Sequence, residues 1–270
     1  MDEIGVKPKI IFLNSQSPRS GHNFVAEVIR VLVDCETPVG DRSEIPLTPI
    51  INSYKYTLNT FFKSSRVEHF LDRLFLNNVR DDILIKQKNC LIKYTNFTGA
   101  EDVLYVFPDD IHVISYRDPK DCLISLFKGM KLKNNWKSRI KKLIIPVGIY
   151  HFIYSWKYAK RVLDEMPSDP EKFILIRYED LVLRNKSELL TLINRFESKM
   201  SLVDLENEMD KINVINSSFY KEETDANTMW ESSKKTPKFR PIGRKSGFNS
   251  LQMIGVKLGS KSLRKKMGYL

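Results

Sequence analysis

Apolar and polar positions along the chain alternate between two regimes. Short apolar runs without helical spacing read as strands buried on both faces: KIIFLNS at 9–15, NCLIKYT at 89–95, IHVISYR at 111–117 and the apolar centre of EKFILIRYEDL at 171–181. Between them, apolar residues recur every three or four positions, which predicts helices. These are NFVAEVIRVLV from Asn23, SRVEHFLDRLFLNNV from Ser65, DPKDCLISLFKGMK from Asp118, VGIYHFIYSWKYAKRVLDEM from Val147 and KSELLTLINRF from Lys186. Pro119 falls in the first turn of its helix, where a missing N–H costs nothing. Residues 34–50, with Pro38, Pro46 and Pro49, read as a loop. Beyond about Ser217 the pattern dissolves into polar, turn-rich sequence. Strands alternating with helices predict an α/β fold: a single domain with a central parallel β-sheet flanked by helices. Ligands of such sheets bind beyond the carboxyl ends of the strands.

Charge narrows the partner. The 270 residues hold 44 Lys and Arg against 33 Asp and Glu, a net charge of +11, which suits an anionic ligand. Nucleic acid is not expected, because no recognised binding motif or repeated basic-aromatic stripe accompanies the charge. Three cysteines, Cys35, Cys90 and Cys122, are too few and too scattered for a disulfide framework, and no CxxC or HExxH pattern suggests a metal. The opening MDEIGVKPK is acidic and interrupted by proline, unlike a signal peptide, and no apolar run approaches the ~18 residues of a membrane span. These features predict a soluble, cytoplasmic protein.

The first strand stops abruptly at a turn, Ser17-Pro18-Arg19-Ser20-Gly21-His22-Asn23-Phe24, and a helix follows. A loop between a strand and a helix amino terminus presents free N–H groups and the positive end of the helix dipole, a site for phosphate. Gly21 allows close backbone approach, Ser20 adds a hydroxyl and Arg19 a fixed cation. An ATP-binding Walker loop needs Gly-Lys-Ser/Thr, and none of the eleven glycines is followed by lysine. A magnesium-dependent kinase is therefore the weaker alternative. A second cluster follows at the 111–117 strand, where Arg117 ends the strand and Ser125 comes about two turns into the next helix. The two together suit a ligand with two separated anionic groups.

These segments resemble those of the sulfotransferases that use 3′-phosphoadenosine 5′-phosphosulfate (PAPS). The turn at 17–24 is similar to the family's PRSGTT-type segment. Arg117-Asp118-Pro119-Lys120-Asp121 with Ser125 is similar to its second motif, and Tyr178-Glu179-Asp180-Leu181 to its YEDL segment. FRPIGRKSGF matches the family's RKG segment loosely, with Arg244, Lys245 and Gly247 as equivalents and Arg240 as an alternative. The resemblance implies a P-loop-NTPase-like sulfotransferase fold over 1–270, a cofactor-covering loop at 231–250 and a basic tail at 256–270. It implies PAPS as sulfuryl donor, 3′-phosphoadenosine 5′-phosphate (PAP) as product, no metal, and a hydroxyl or amine acceptor on a glycan or small metabolite.

The implied cofactor residues are Pro18, Arg19, Ser20, Gly21, His22, Asn23 and Phe24 around the phosphosulfate. Arg117 and Ser125 belong to the 3′-phosphate, Tyr178 to the adenine, and Arg244, Lys245 and Gly247 to the covering loop. Arg19 and Lys93 would stabilise the transferring group. The general base is open: Thr95 stands where cytosolic members carry histidine, and carbohydrate-directed members use a glutamate after the first helix. Glu36, Glu44 and His22 are the candidates, with Glu44 preferred because prolines fix its loop.

Overall fold

The computed structural model describes residues 7–39, 44–61, 64–129, 143–212, 241–243 and 247–270. Its sheet has five parallel strands in the order β2-β3-β1-β4-β5: β1 Ile10–Ser15, β2 Cys35–Glu36, β3 Asn89–Tyr94, β4 Ile111–Tyr116 and β5 Ile174–Arg177. Among the described residues twelve α-helices flank it: α1 His22–Leu32, α2 Leu47–Phe61, α3 Ser65–Phe75, α4 Val79–Ile83, α5 Ala100–Val106, α6 Pro119–Gly129, α7 Ile149–Glu165, α8 Tyr178–Val182, α9 Lys186–Arg195, α10 Leu202–Lys211, α11 Ser250–Gly259 and α12 Lys261–Lys266.

The central strand explains why its sequence is apolar without interruption. Ile11 and Leu13 point to one face, against Val25 and Ile29 of α1, Leu192 of α9 and Leu205 of α10. Ile10 and Phe12 point to the other, against Ile51 of α2 and Val103 of α5. A strand with helices on both faces has no polar side to show. Each side chain this deeply buried contributes roughly 1.5–3 kcal/mol.

Two expectations are corrected. Residues 34–50 are not all loop: Cys35 and Glu36 form an edge strand, and α2 begins at Leu47. Pro49 lies in the first turn of α2, where it starts a helix as readily as it ends one. The segment 256–270 is not a loose basic tail. Val256 and Leu263 are fully buried, and Gly255 and Gly259 let α11 lie directly on α7. A Cβ there would come 2.4 Å from the Gly148 carbonyl oxygen and 2.5 Å from that of Phe152. The lysines occupy the outer face, which is why the run read as a solvated tail. The basic stretch 131–142, most of the covering loop at 231–250, and Arg240 lie outside the described residues.

Candidate active site

The anion loop lies at the carboxyl end of β1, between β3 and β4, and is fixed chiefly by Gln16. The Gln16 N–H donates to the Ser115 carbonyl (3.1 Å), its side-chain oxygen accepts from the Arg117 N–H (2.9 Å), and its amide nitrogen donates to the Tyr158 hydroxyl (2.8 Å). Ser17 shares that hydroxyl at 2.8 Å, and Ser15 pairs with Ser115 at 2.6 Å. The loop is thus anchored to β4 and α7 before any ligand arrives.

Beyond Gln16 the backbone turns left-handed twice, at Arg19 (φ 74°) and Gly21 (φ 90°). For a non-glycine residue that conformation costs on the order of 1–3 kcal/mol and persists only where the surroundings impose it. Arg19 is held at both ends: its Nε donates to Ser125 Oγ (3.0 Å), and its carbonyl accepts from Arg117 Nη1 (3.3 Å). Gly21 has a second reason to be glycine, because a Cβ would meet the Tyr178 ring at 2.3 Å. Phe24 packs edge-on against the same ring, 6.0 Å between centroids. Pro18 is exposed at the loop's tip.

Four buried polar atoms in this loop and its neighbour have no hydrogen-bond partner among the described residues: Ser20 Oγ, both ring nitrogens of His22, and Arg117 Nε. Buried polar atoms of a folded chain are nearly always paired, so a cluster of unpaired ones marks a place for a ligand. Ser20 and His22 flank the amino terminus of α1, whose first turn has no acidic residue. The group they fit is an anion.

Arg117 forms the second half. It is 3% exposed, its guanidinium lies 4.6 Å from the Tyr178 ring centre, and Nη2 donates to the Pro241 carbonyl. Asp121 balances it at 3.8 Å and also accepts from the Gly243 N–H (3.2 Å). Residues 241–243 therefore adjoin the site. Arg244 and Lys245 lie outside the described residues, and Gly247 has only open space around the position of a Cβ. Ser125, expected to share an anion with Arg117, accepts from Arg19 Nε (3.0 Å).

The carboxyl terminus braces this half. Arg264 grips Asp118 with two bonds (2.9 and 3.2 Å). Glu179 accepts from the Asp118 N–H (2.9 Å) and the Tyr269 hydroxyl (2.7 Å). These braces and Gln16 were not found from sequence. Gln16 had one signal, an amide at the end of an apolar strand, but its partners lie 101 and 142 positions away.

On the β3 side, Lys93 is 1% exposed and donates to the Asn23 side chain. Burial pulls its pKa down to about 8 against the opposing pull of Glu44 and Glu27, so it remains largely protonated at neutral pH. Glu44 pairs through its backbone with Lys93, at the carboxyl end of β3, and its carboxylate accepts from Thr95 (3.4 Å). Glu36 pairs with Cys90, at the opposite end of β3, and is tied to Lys86 and Lys88 at 3.0 and 2.7 Å. Its carboxylate is thus engaged by two lysines at the end of the sheet away from the loop. Burial, with Lys93 and Arg19 adding to it, lowers the pKa of His22 well below its ordinary value. Among the described residues no group of His, Cys, Asp and Glu is arranged to hold a metal, and no helix is long and apolar enough to cross a membrane.

No protein-family model and no curated protein matches the chain. Solved structures do. Retinol dehydratase in complex with androsterone and the inactive cofactor PAP aligns over 97% of this chain and 82% of its own, at 15% identity and a TM-score of 0.50. Retinol dehydratase in complex with retinol and PAP aligns over 97% and 83%, again at 15% and 0.50. The sulfotransferase domain from the curacin biosynthetic pathway aligns over 98% and 99%, at 13% and 0.48. At such identities the likeness concerns the fold alone: the chain has an α/β fold like that of retinol dehydratase, with the loop described above at the end of the central strand.

Proposed function

We propose that the chain is a sulfotransferase moving a sulfuryl group from PAPS to a hydroxyl or amine of a glycan or small metabolite. The observation that carries this reading is the set of sealed, unpartnered polar atoms, Ser20 Oγ, the His22 ring and Arg117 Nε, gathered at one helix start beside Arg19 and Lys93. Bound PAPS would supply an activated sulfuryl group whose bridging oxygen becomes negative as it departs.

The chain's own residues then divide the work. The loop from Pro18 to Phe24 would hold the 5′ end, with Arg19 and Lys93 directed at the developing charge; a preorganised donor there is worth ~3–4 kcal/mol. Arg117 and Ser125 would hold the 3′-phosphate, and Tyr178, already beneath Gly21 and Arg117, would flank the adenine. Arg244, Lys245 and Gly247 would close the covering segment. Glu44 would accept the acceptor's proton, since its register with Lys93 sets it at the sheet edge where the transferring group must lie.

Transfer of labelled sulfate from PAPS, in the presence of a chelator, to a panel of glycans, amines and phenols tests this reading. Labelled product with release of PAP is the expected result. No labelled product from any acceptor, in a chain that also fails to bind PAP, would overturn it.

A further inference from the structure

His22 belongs to the loop proposed to hold the 5′ end, and its proton is the one the proposed reaction leaves unassigned. Both ring nitrogens are sealed from solvent and without a partner, although the residue as a whole is half-buried. A neutral imidazole has one donor and one acceptor, and here both are dry. The charged groups that face it are two cations, Arg19 from the loop and Lys93 from β3. Two carboxylates, Glu44 beside β3 and Glu27 on α1, act on Lys93. Burial disfavours the charged ring most, and the two cations add to the same effect.

We infer that His22 takes up a proton when an anionic phosphate-type group enters the loop, and so becomes a charged clamp on the 5′ end of the nucleotide. This rests on the nucleotide reading above. An anion in the loop neutralises Arg19 and Lys93 and offers acceptor oxygens to the ring, and both changes favour the imidazolium. The loop lacks the Walker lysine, and His22 would supply the missing cation only when the ligand is present. A ring protonated in this way cannot serve as the general base, which leaves Glu44.

The sign follows from linkage. The His22 pKa is higher in the complex than in the free chain, so PAP binds with full affinity below the free value. Affinity falls by up to about tenfold per pH unit between the two values and is flat above the higher one.

Calorimetric titration of the full chain with PAP at pH 7, in two buffers of different ionisation enthalpy, counts the protons taken up. The wild type is expected to take up close to one proton more than His22→Asn, which keeps an amide donor but cannot titrate. PAP's own phosphates titrate equally in both measurements. Glu27→Gln is expected to keep the full uptake. Nitrogen NMR of labelled imidazole rings in the wild type gives an independent reading, with His22 expected doubly protonated only in the PAP complex. Equal proton counts in wild type and His22→Asn, or a ring that stays neutral with PAP bound, would overturn this inference and leave the sulfotransferase reading intact. A chain that binds no PAP at any pH would remove both.

Discussion

Arg19→Ala should lower turnover by about two to three orders of magnitude while changing PAP affinity by less than about tenfold. The guanidinium lies in the loop with its Nε on Ser125, so it is aimed before ligand arrives and needs no reorganisation as charge develops. On the proposed reading a donor of that kind acts mainly on the transition state, whereas the buried Arg117 would act on binding. The backbone complicates the comparison, because Arg19 has a positive φ and alanine suits it no better. Arg19→Gly relaxes that conformation and removes the charge. It should lose turnover as Arg19→Ala does, which separates charge from strain. Steady-state kinetics with calorimetric PAP binding makes the test. A loss confined to PAP affinity, with turnover intact at saturation, would show that Arg19 only binds.

Glu44→Gln should reduce transfer by about two to four orders of magnitude and leave PAP binding unchanged, since a general base contributes on that scale and the amide keeps the shape. Register is the physical ground. Glu44 pairs with Lys93 near the carboxyl end of β3, beside the loop, whereas Glu36 pairs with Cys90 and is occupied by two lysines. Glu36→Gln should therefore transfer normally. If Glu44→Gln keeps near-normal turnover, the proton goes elsewhere and the assignment is wrong.

The central turn was legible because its signals are local: an apolar run that stops, a glycine, and a helical period that begins. The strands at 89–94 and 111–116 were legible for the same reason. What failed depended on contacts distant in sequence. Pro46 and Pro49 look like breakers until α2 is seen to start between them. The segment 256–270 looks like a basic tail until Gly255 and Gly259 are seen against α7. Which of Glu36 and Glu44 reaches the site is a matter of strand register, which one chain's spacing does not encode. Gln16, Arg264 and Tyr269 brace the site through bonds spanning roughly 90 to 146 positions, and no motif length covers such a span.

On the proposed reading, this loop and Arg117 together hold a nucleotide with two separated anionic groups, without metal. Thermal unfolding in a chelator with PAP, or with adenosine 5′-phosphate, tests it most directly. PAP at about 100 times its dissociation constant should stabilise the chain by ~2.7 kcal/mol. Adenosine 5′-phosphate at the same concentration should do far less, and Arg117→Ala should remove most of the difference. Equal stabilisation by the two nucleotides, or stabilisation only by ATP with magnesium, would contradict the account.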